Sequence, residues 1–137
     1  MRVLFLCVHN SARSQIAEGW LRALGGAHFE VFSAGSAPSR VHPLAIRVMQ
    51  EHGIDLSAHR SKSVNEFFDQ PIDVVITLCA EEVCPNFPGK VTRLHWAMPD
   101  PSAVQGSDAE RIAAFHRVAD EIEKRVNEFL NDHTFTR

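Results

Sequence analysis

Two stretches, Arg2–Leu6 (RVLFL) and Ile72–Leu78 (IDVVITL), are short apolar runs rich in branched and aromatic side chains. Runs this short and this apolar suit strands covered on both faces, the environment of a parallel sheet. Helix-period sequence lies between them. Ser14–Leu24 carries Ile16, Ala17, Trp20, Leu21 and Leu24 at helical spacing, with Gly25 and Gly26 as stop residues. Pro43 opens a second helix continuing over Leu44–His52, which Gly53 closes. A short helix is expected near Val64–Phe68, and a long amphipathic one from Asp108 to about Leu130, with Ile112, Phe115, Val118, Ile122, Val126 and Phe129 on one stripe. Phe29–Ser33 and Val91–Trp96 supply two further strands. The pattern predicts one α/β domain over residues 1–137, a four-stranded parallel sheet flanked by helices. Crossovers in such sheets are right-handed, so the loops leaving Leu6, Ser33, Leu78 and Trp96 should open onto one edge, where ligands bind.

The bulk numbers narrow the function. A chain of 137 residues holds one core comfortably. A net charge of -3 and the lack of a Lys/Arg cluster speak against nucleic acid as a partner. An anionic substrate must then be captured by local geometry. Met1–Val8 is too short for a secretory signal, and no run reaches the roughly 18 apolar residues of a membrane helix. Three cysteines, an odd number, do not suit a secreted disulfide framework. In a reducing cytosol such thiols are catalytic, redox-active or buried, so a cytoplasmic single-domain protein is expected; a monomer without a tightly bound cofactor is a further expectation.

The loop after the first strand reads Cys7-Val8-His9-Asn10-Ser11-Ala12-Arg13-Ser14, C-x5-R-S running into a helix. A tight loop entering a helix directs backbone N–H groups inward as a nest for a tetrahedral anion, and the helix N-terminus adds partial positive charge. Arg13 supplies a charged fork for two oxygens. These features favour the reactive thiolate of Cys7, and Ser14 is placed to donate a hydrogen bond to it. The plainer alternative is a buried cysteine and a surface arginine; the order strand, loop, helix favours the anion site. The Gly-Lys-Ser/Thr ending of a nucleotide-binding loop is missing.

Asp100-Pro101, after the fourth strand, offers an acid that could protonate a leaving oxygen, although Asp-Pro is also a common turn. Cys79 and Cys84 follow the IDVVITL strand on the same edge as Cys7. Zinc is a poor fit, because their spacing exceeds the usual C-x2-4-C and no second pair completes a tetrahedron. Inert buried thiols and a redox relay remain, and the relay better explains the placement. It requires motion: in a regular helix an i, i+5 pair is about 8 to 9 Å apart, whereas a disulfide needs less than roughly 7 Å. The segment should unwind when the bond forms, with Pro85 marking its end. His9, His42, His59 and His116 show no spacing that suggests chemistry.

CVHNSARSQIAEGW, Ser33-Ala34-Gly35, VVITLC with a second cysteine and proline, His95-Trp96 and Asp100-Pro101 together resemble arsenate reductases of the low-molecular-weight tyrosine phosphatase fold, in the branch coupled to thioredoxin. The resemblance runs from Arg2 to about Leu130 and implies a flavodoxin-like topology. It also implies a three-thiol mechanism. Cys7 attacks arsenate, held by Arg13 and the amides of residues 8–14, and Asp100 protonates the departing oxygen. Cys79 attacks Cys7 and releases arsenite, Cys84 attacks Cys79, and an external thiol, thioredoxin by resemblance, restores the enzyme.

Three departures stand out. Position 12 is Ala where a known member has an extra, non-essential cysteine. The Cys79–Cys84 spacing is two residues shorter than in well-studied members, which leaves glutathione with glutaredoxin, or mycothiol, open as donors. Some members bind potassium through residues matching Asn10, Glu18 and Ser33 plus an aspartate; here that aspartate is Lys62. Its ammonium is expected to replace the cation, the alternative being a solvated lysine beside purely structural neighbours. The rival activity is a tyrosine phosphatase using Cys7, Arg13 and Asp100. The chain has no tyrosine to grip a substrate ring, and Ser102-Ala103 follows Pro101. A non-catalytic oxyanion-binding module is the rival outside enzymes, and it alone predicts that Cys7→Ser keeps its function.

Overall fold

The computed structural model describes residues 1–80 and 84–132. Its strands are β1 (Arg2–Cys7), β2 (Glu30–Gly35), β3 (Val74–Thr77) and β4 (Thr92–His95). They form one parallel sheet in the order β2-β1-β3-β4. The helices are α1 (Arg13–Gly25), α2 (Pro43–Gln50) and α3 (Asp108–Asn131). Short 3-10 helices cover Gly26–His28, Val64–Phe67 and Pro101–Ala103.

Alternation along β1 divides the core. Val3 and Phe5 face a large cluster with side chains of α1, α2 and α3, including Ile16, Met49, Phe115 and Ile122. Leu4 and Leu6 face a smaller cluster with Val64, Phe67, Ile72, Val75 and Phe87. The α-helices thus pack on one face, and the 3-10 helix Val64–Phe67 covers the other. Trp20 ties α1 to α3 by donating its indole N–H to Ala119 O at 3.0 Å. Trp96 is buried against Phe5 and Phe129.

Boundaries differ from the sequence expectation by one or two residues. β2 extends to Gly35 because it stays paired with β1 through Cys7. β3 is shorter than Ile72–Leu78 because Ile72 turns into the smaller core. α1 runs through Gly25 and stops at Gly26, which has φ +62°. α2 begins at Pro43, and α3 carries a capping box between Ser107 and Glu110. Among the described residues, no helix is long and apolar enough to cross a membrane.

The register aligns the strand ends. Cys7 lies opposite Gly35, Leu6 opposite Thr77, and Thr77 opposite His95. The strand ends thus share one edge, and Cys7 and the loop that carries Cys79 leave from it.

Candidate active site

Cys7 is the last residue of β1 and is 2% exposed. The turn that follows is held from outside through its carbonyls. Val8 O accepts from Ala37 N at 2.9 Å, His9 O from Ser39 N at 3.2 Å, and Ser11 O from His42 N at 2.9 Å. The N–H groups of residues 8–12 donate to no protein acceptor among the described residues, the condition for an anion nest. Asn10 adopts φ +48°, a left-handed conformation that Asn tolerates better than most residues. Gly35 lies so close beneath the loop that a Cβ there would run into Val8 O, Cys7 O and Asn10 N. The Ser33-Ala34-Gly35 motif therefore ends in glycine for a steric reason.

A directional chain of hydrogen bonds ends at the sulfur. Lys62 N donates to Asn10 Oδ1 at 2.8 Å, which fixes the amide so that Asn10 Nδ2 donates to Ser14 Oγ at 2.8 Å. Ser14 Oγ lies 2.8 Å from Cys7 Sγ; the thiol can donate to the hydroxyl, whereas toward an ionised sulfur only the hydroxyl can donate.

Arg13 is 4% exposed and opens α1. Its NH1 donates to Met98 O at 3.0 Å and reaches Leu78 O at 3.4 Å, while NH2 lies 3.9 Å from Asp100 Oδ2. Asp100 caps the 3-10 helix Pro101–Ala103, with Oδ1 accepting from Ser102 N at 2.9 Å and from Ser102 Oγ at 2.6 Å. Cys7, His9, Ser11, Ala12, Arg13, Asp100 and Ser102 line one small cavity. His9 itself is exposed, with Nδ1 3.1 Å from Ala37 O.

Cys79 lies two residues beyond the end of β3 and is 1% exposed. Leu78 N donates to Leu6 O at 3.0 Å, so Cys7 and Cys79 each stand one residue beyond a bonded pair on adjacent strands. Cys79 is disulfide-bonded to the half-buried Cys84, with Cα atoms 5.6 Å apart. That separation is shorter than a helical i, i+5 pair allows. The expected unwinding itself concerns residues 81–83, which lie outside the described residues. Cys7 is the free thiol.

Below the loop, Glu18 is a buried carboxylate. Oε1 accepts from Ser33 Oγ at 2.5 Å, Oε2 pairs with Arg22 at 2.8 Å, and Lys62 Nζ and His59 Nδ1 each lie 3.8 Å away.

A family model for low molecular weight phosphotyrosine protein phosphatases matches residues 2–135. The chain belongs to that family. An arsenate reductase of Halalkalibacterium halodurans is 43% identical over 129 residues, covering 93% of each chain. A solved structure of an arsenate reductase in the phosphate-binding state superposes with a TM-score of 0.80 at 36% identity, covering 94% of this chain and 95% of that one. A thioredoxin-dependent arsenate reductase of Corynebacterium glutamicum gives a TM-score of 0.76 at 31% identity, with 99% of this chain and 63% of that one covered.

In this low molecular weight phosphatase domain the sequence pattern missed two residues, Gln15 and His59. Gln15 Nε2 donates to Asn10 Oδ1 at 3.0 Å and to Arg60 O at 3.0 Å, and its Oε1 lies 3.0 Å from His59 Nδ1. Burial pushes the His59 pKa down, against the opposing pull of Glu18. The neutral ring then gives its Nδ1 proton to Gln15. Burial likewise lowers the Lys62 pKa, again opposed by Glu18. Gln15 and His59 stand 44 positions apart, so only the adjacency of Gln15 to the loop motif could have flagged either.

Proposed function

We propose that the chain reduces arsenate to arsenite by a three-thiol relay. The Cys7 thiolate bonds to arsenic while Arg13 and the amides of residues 8–14 (Val8, His9, Asn10, Ser11, Ala12, Arg13, Ser14) hold the oxygens. Asp100 protonates the departing oxygen through Oδ2, the oxygen not engaged by Ser102. Cys79 then attacks the Cys7 sulfur; the sulfur–arsenic electron pair stays on arsenic, and arsenite leaves. Cys84 attacks Cys79, freeing Cys7 and leaving a Cys79–Cys84 disulfide for an external reductant.

The observation that carries this reading is the Cys79–Cys84 disulfide on the same sheet edge as a free Cys7 in an anion loop. Phosphoester hydrolysis has no use for that bond. Relatives named arsenate reductases, matched along nearly the whole chain, add support. Thioredoxin is the favoured donor, by likeness to the thioredoxin-dependent relative. A thiol reductant fits a cytoplasmic location.

Lys62 takes the place of a bound cation in this reading. Its ammonium donates to Arg60 O at 2.7 Å and lies beside the buried Glu18, while its backbone N–H holds Asn10. Turnover should therefore be equal in potassium and sodium salts, and a several-fold potassium stimulation contradicts this assignment.

The test of function is arsenate-dependent NADPH oxidation with thioredoxin and thioredoxin reductase. Wild type should be active, and Cys7→Ser, Cys79→Ser and Cys84→Ser inactive. Activity with glutathione and glutaredoxin alone would keep the reductase and change the donor. Efficient aryl phosphate hydrolysis without arsenate reduction would make the chain a phosphatase.

A further inference from the structure

Beside the disulfide lies a cavity of about 290 Å³ whose walls include Thr77, Cys84, Pro85, Phe87, Arg93 and His95. The two sulfurs differ in access. Cys79 is 1% exposed, whereas Cys84 is half-buried and lines the cavity. An incoming thiolate therefore meets the Cys84 sulfur, and the sulfur it expels is Cys79.

His95 ends β4 on the same wall and is exposed. Its Nδ1 lies 2.6 Å from Thr77 Oγ1, and that hydroxyl also reaches Leu94 O at 3.4 Å. The 2.6 Å contact admits both neutral tautomers; in the one where the hydroxyl donates to Leu94 O, Nδ1 carries the ring proton and Nε2 has its lone pair free to accept another. Arg93, the other charged side chain in this wall, is bonded to Phe87 O and Gly89 O. Among the described residues, the titratable or charged groups sharing the cavity with His95 are Arg93 and, after reduction, Cys84. The His95-Trp96 pair accordingly has two separate tasks: Trp96 packs in the core, and His95 faces the disulfide cavity.

We propose that His95 is the proton-transfer residue of disulfide reduction, acting on a dithiol reductant that enters this cavity. The inference rests on the relay above, which makes the Cys79–Cys84 disulfide the form to be reduced. The first reductant thiol gives its proton to Nε2, and its sulfur bonds to Cys84 as the Cys84–Cys79 bond breaks. Cys79 leaves with the electron pair and takes a proton from water. The second reductant thiol loses its proton to water and attacks the reductant sulfur bound to Cys84. The reductant's own disulfide forms, and the expelled Cys84 takes the proton held by His95. Two electrons and two protons pass from the dithiol to the enzyme, and His95 ends as it began.

The test uses the full chain, oxidised to the Cys79–Cys84 disulfide, without arsenate, with dithiothreitol as the probe. The second-order rate of disulfide reduction is followed from pH 6 to 10. His95→Gln should be slower by at least about tenfold near pH 7, and the gap should close at high pH, where the reagent ionises unaided. His95→Ala should regain rate when free imidazole is added. Equal rates at all pH values overturn the proposal, as does a constant deficit across pH with no imidazole rescue, the mark of a packing role. If arsenate turnover of the wild type never yields a Cys79–Cys84 disulfide, the relay fails and this proposal falls with it. A relay that works with a dispensable His95 overturns this proposal alone.

Discussion

The anion loop and the Cys79–Cys84 segment leave the same sheet edge, yet they are held in opposite ways. Residues 7–14 are fixed by non-covalent contacts from every side: Gly35 beneath, the backbone of residues 37–42 outside, and the Lys62–Asn10–Ser14 chain running to the sulfur. The second region is closed by a covalent bond between one buried and one half-buried cysteine. Oxyanion chemistry gains from donors fixed before the substrate arrives. A thiol shuttle needs a bond that can be broken and remade while one sulfur remains within reach of solvent. One fold meets both needs because parallel register brings Cys7 and Cys79 to adjacent strand ends.

The sharpest way to separate the regions is Cys84→Ser. Steady-state turnover should fall to background, a loss of more than about 10⁴-fold, while a first arsenite is still released. Loss of that first arsenite would mean that the loop and the shuttle act as one unit. Arg13→Lys strikes the loop alone. It removes the planar fork and the bonds to Met98 O and Leu78 O, and should lower kcat/KM for arsenate by about 10² to 10³-fold. Reduction of the oxidised enzyme by dithiothreitol should be untouched.

Gly35→Ala tests whether the loop is supported from below. The added methyl group meets backbone atoms that cannot give way cheaply, so stability should drop by about 1 to 3 kcal/mol, read by urea unfolding. Ser14→Ala removes the donor to the sulfur. A hydrogen bond to a charged group contributes about 1.5 kcal/mol or more, so alkylation of Cys7 at neutral pH should slow by about tenfold. An unchanged rate would show that the amides and helix terminus suffice.

The smallest effect concerns pH. Burial pushes the pKa values of His59 and His42 below the ordinary 6.5. The unfolded chain then binds protons just below pH 6.5 that the folded chain refuses, so stability should be full above that point and decline as pH falls through the window. His42 shows why: its Nδ1 accepts from Leu44 N at 3.1 Å to cap α2, which a protonated ring cannot do. Flat stability from pH 7 to 5.5 would contradict the neutral state of these two half-buried rings.

The sheet and the thiols were legible in the sequence because both are written locally. Apolar runs at RVLFL and IDVVITL mark strands, and C-x5-R-S carries its own loop and helix start. The support beneath the loop was not. Gln15 meets His59 and Arg60 only after α1 packs beside the segment that follows α2, and no periodicity encodes that meeting. Asp100 was read as acid or turn, and it is a helix cap by one oxygen while the other lies toward Arg13. Phe87 in the smaller core had no pattern around it.

The most direct test of the relay is a single turnover. Fully reduced protein receives one equivalent of arsenate without reductant, is quenched with an alkylating reagent, and has its cysteines mapped by mass spectrometry. The relay predicts one arsenite per chain, an alkylated Cys7 and a Cys79–Cys84 disulfide. Three alkylated cysteines and no arsenite would contradict it.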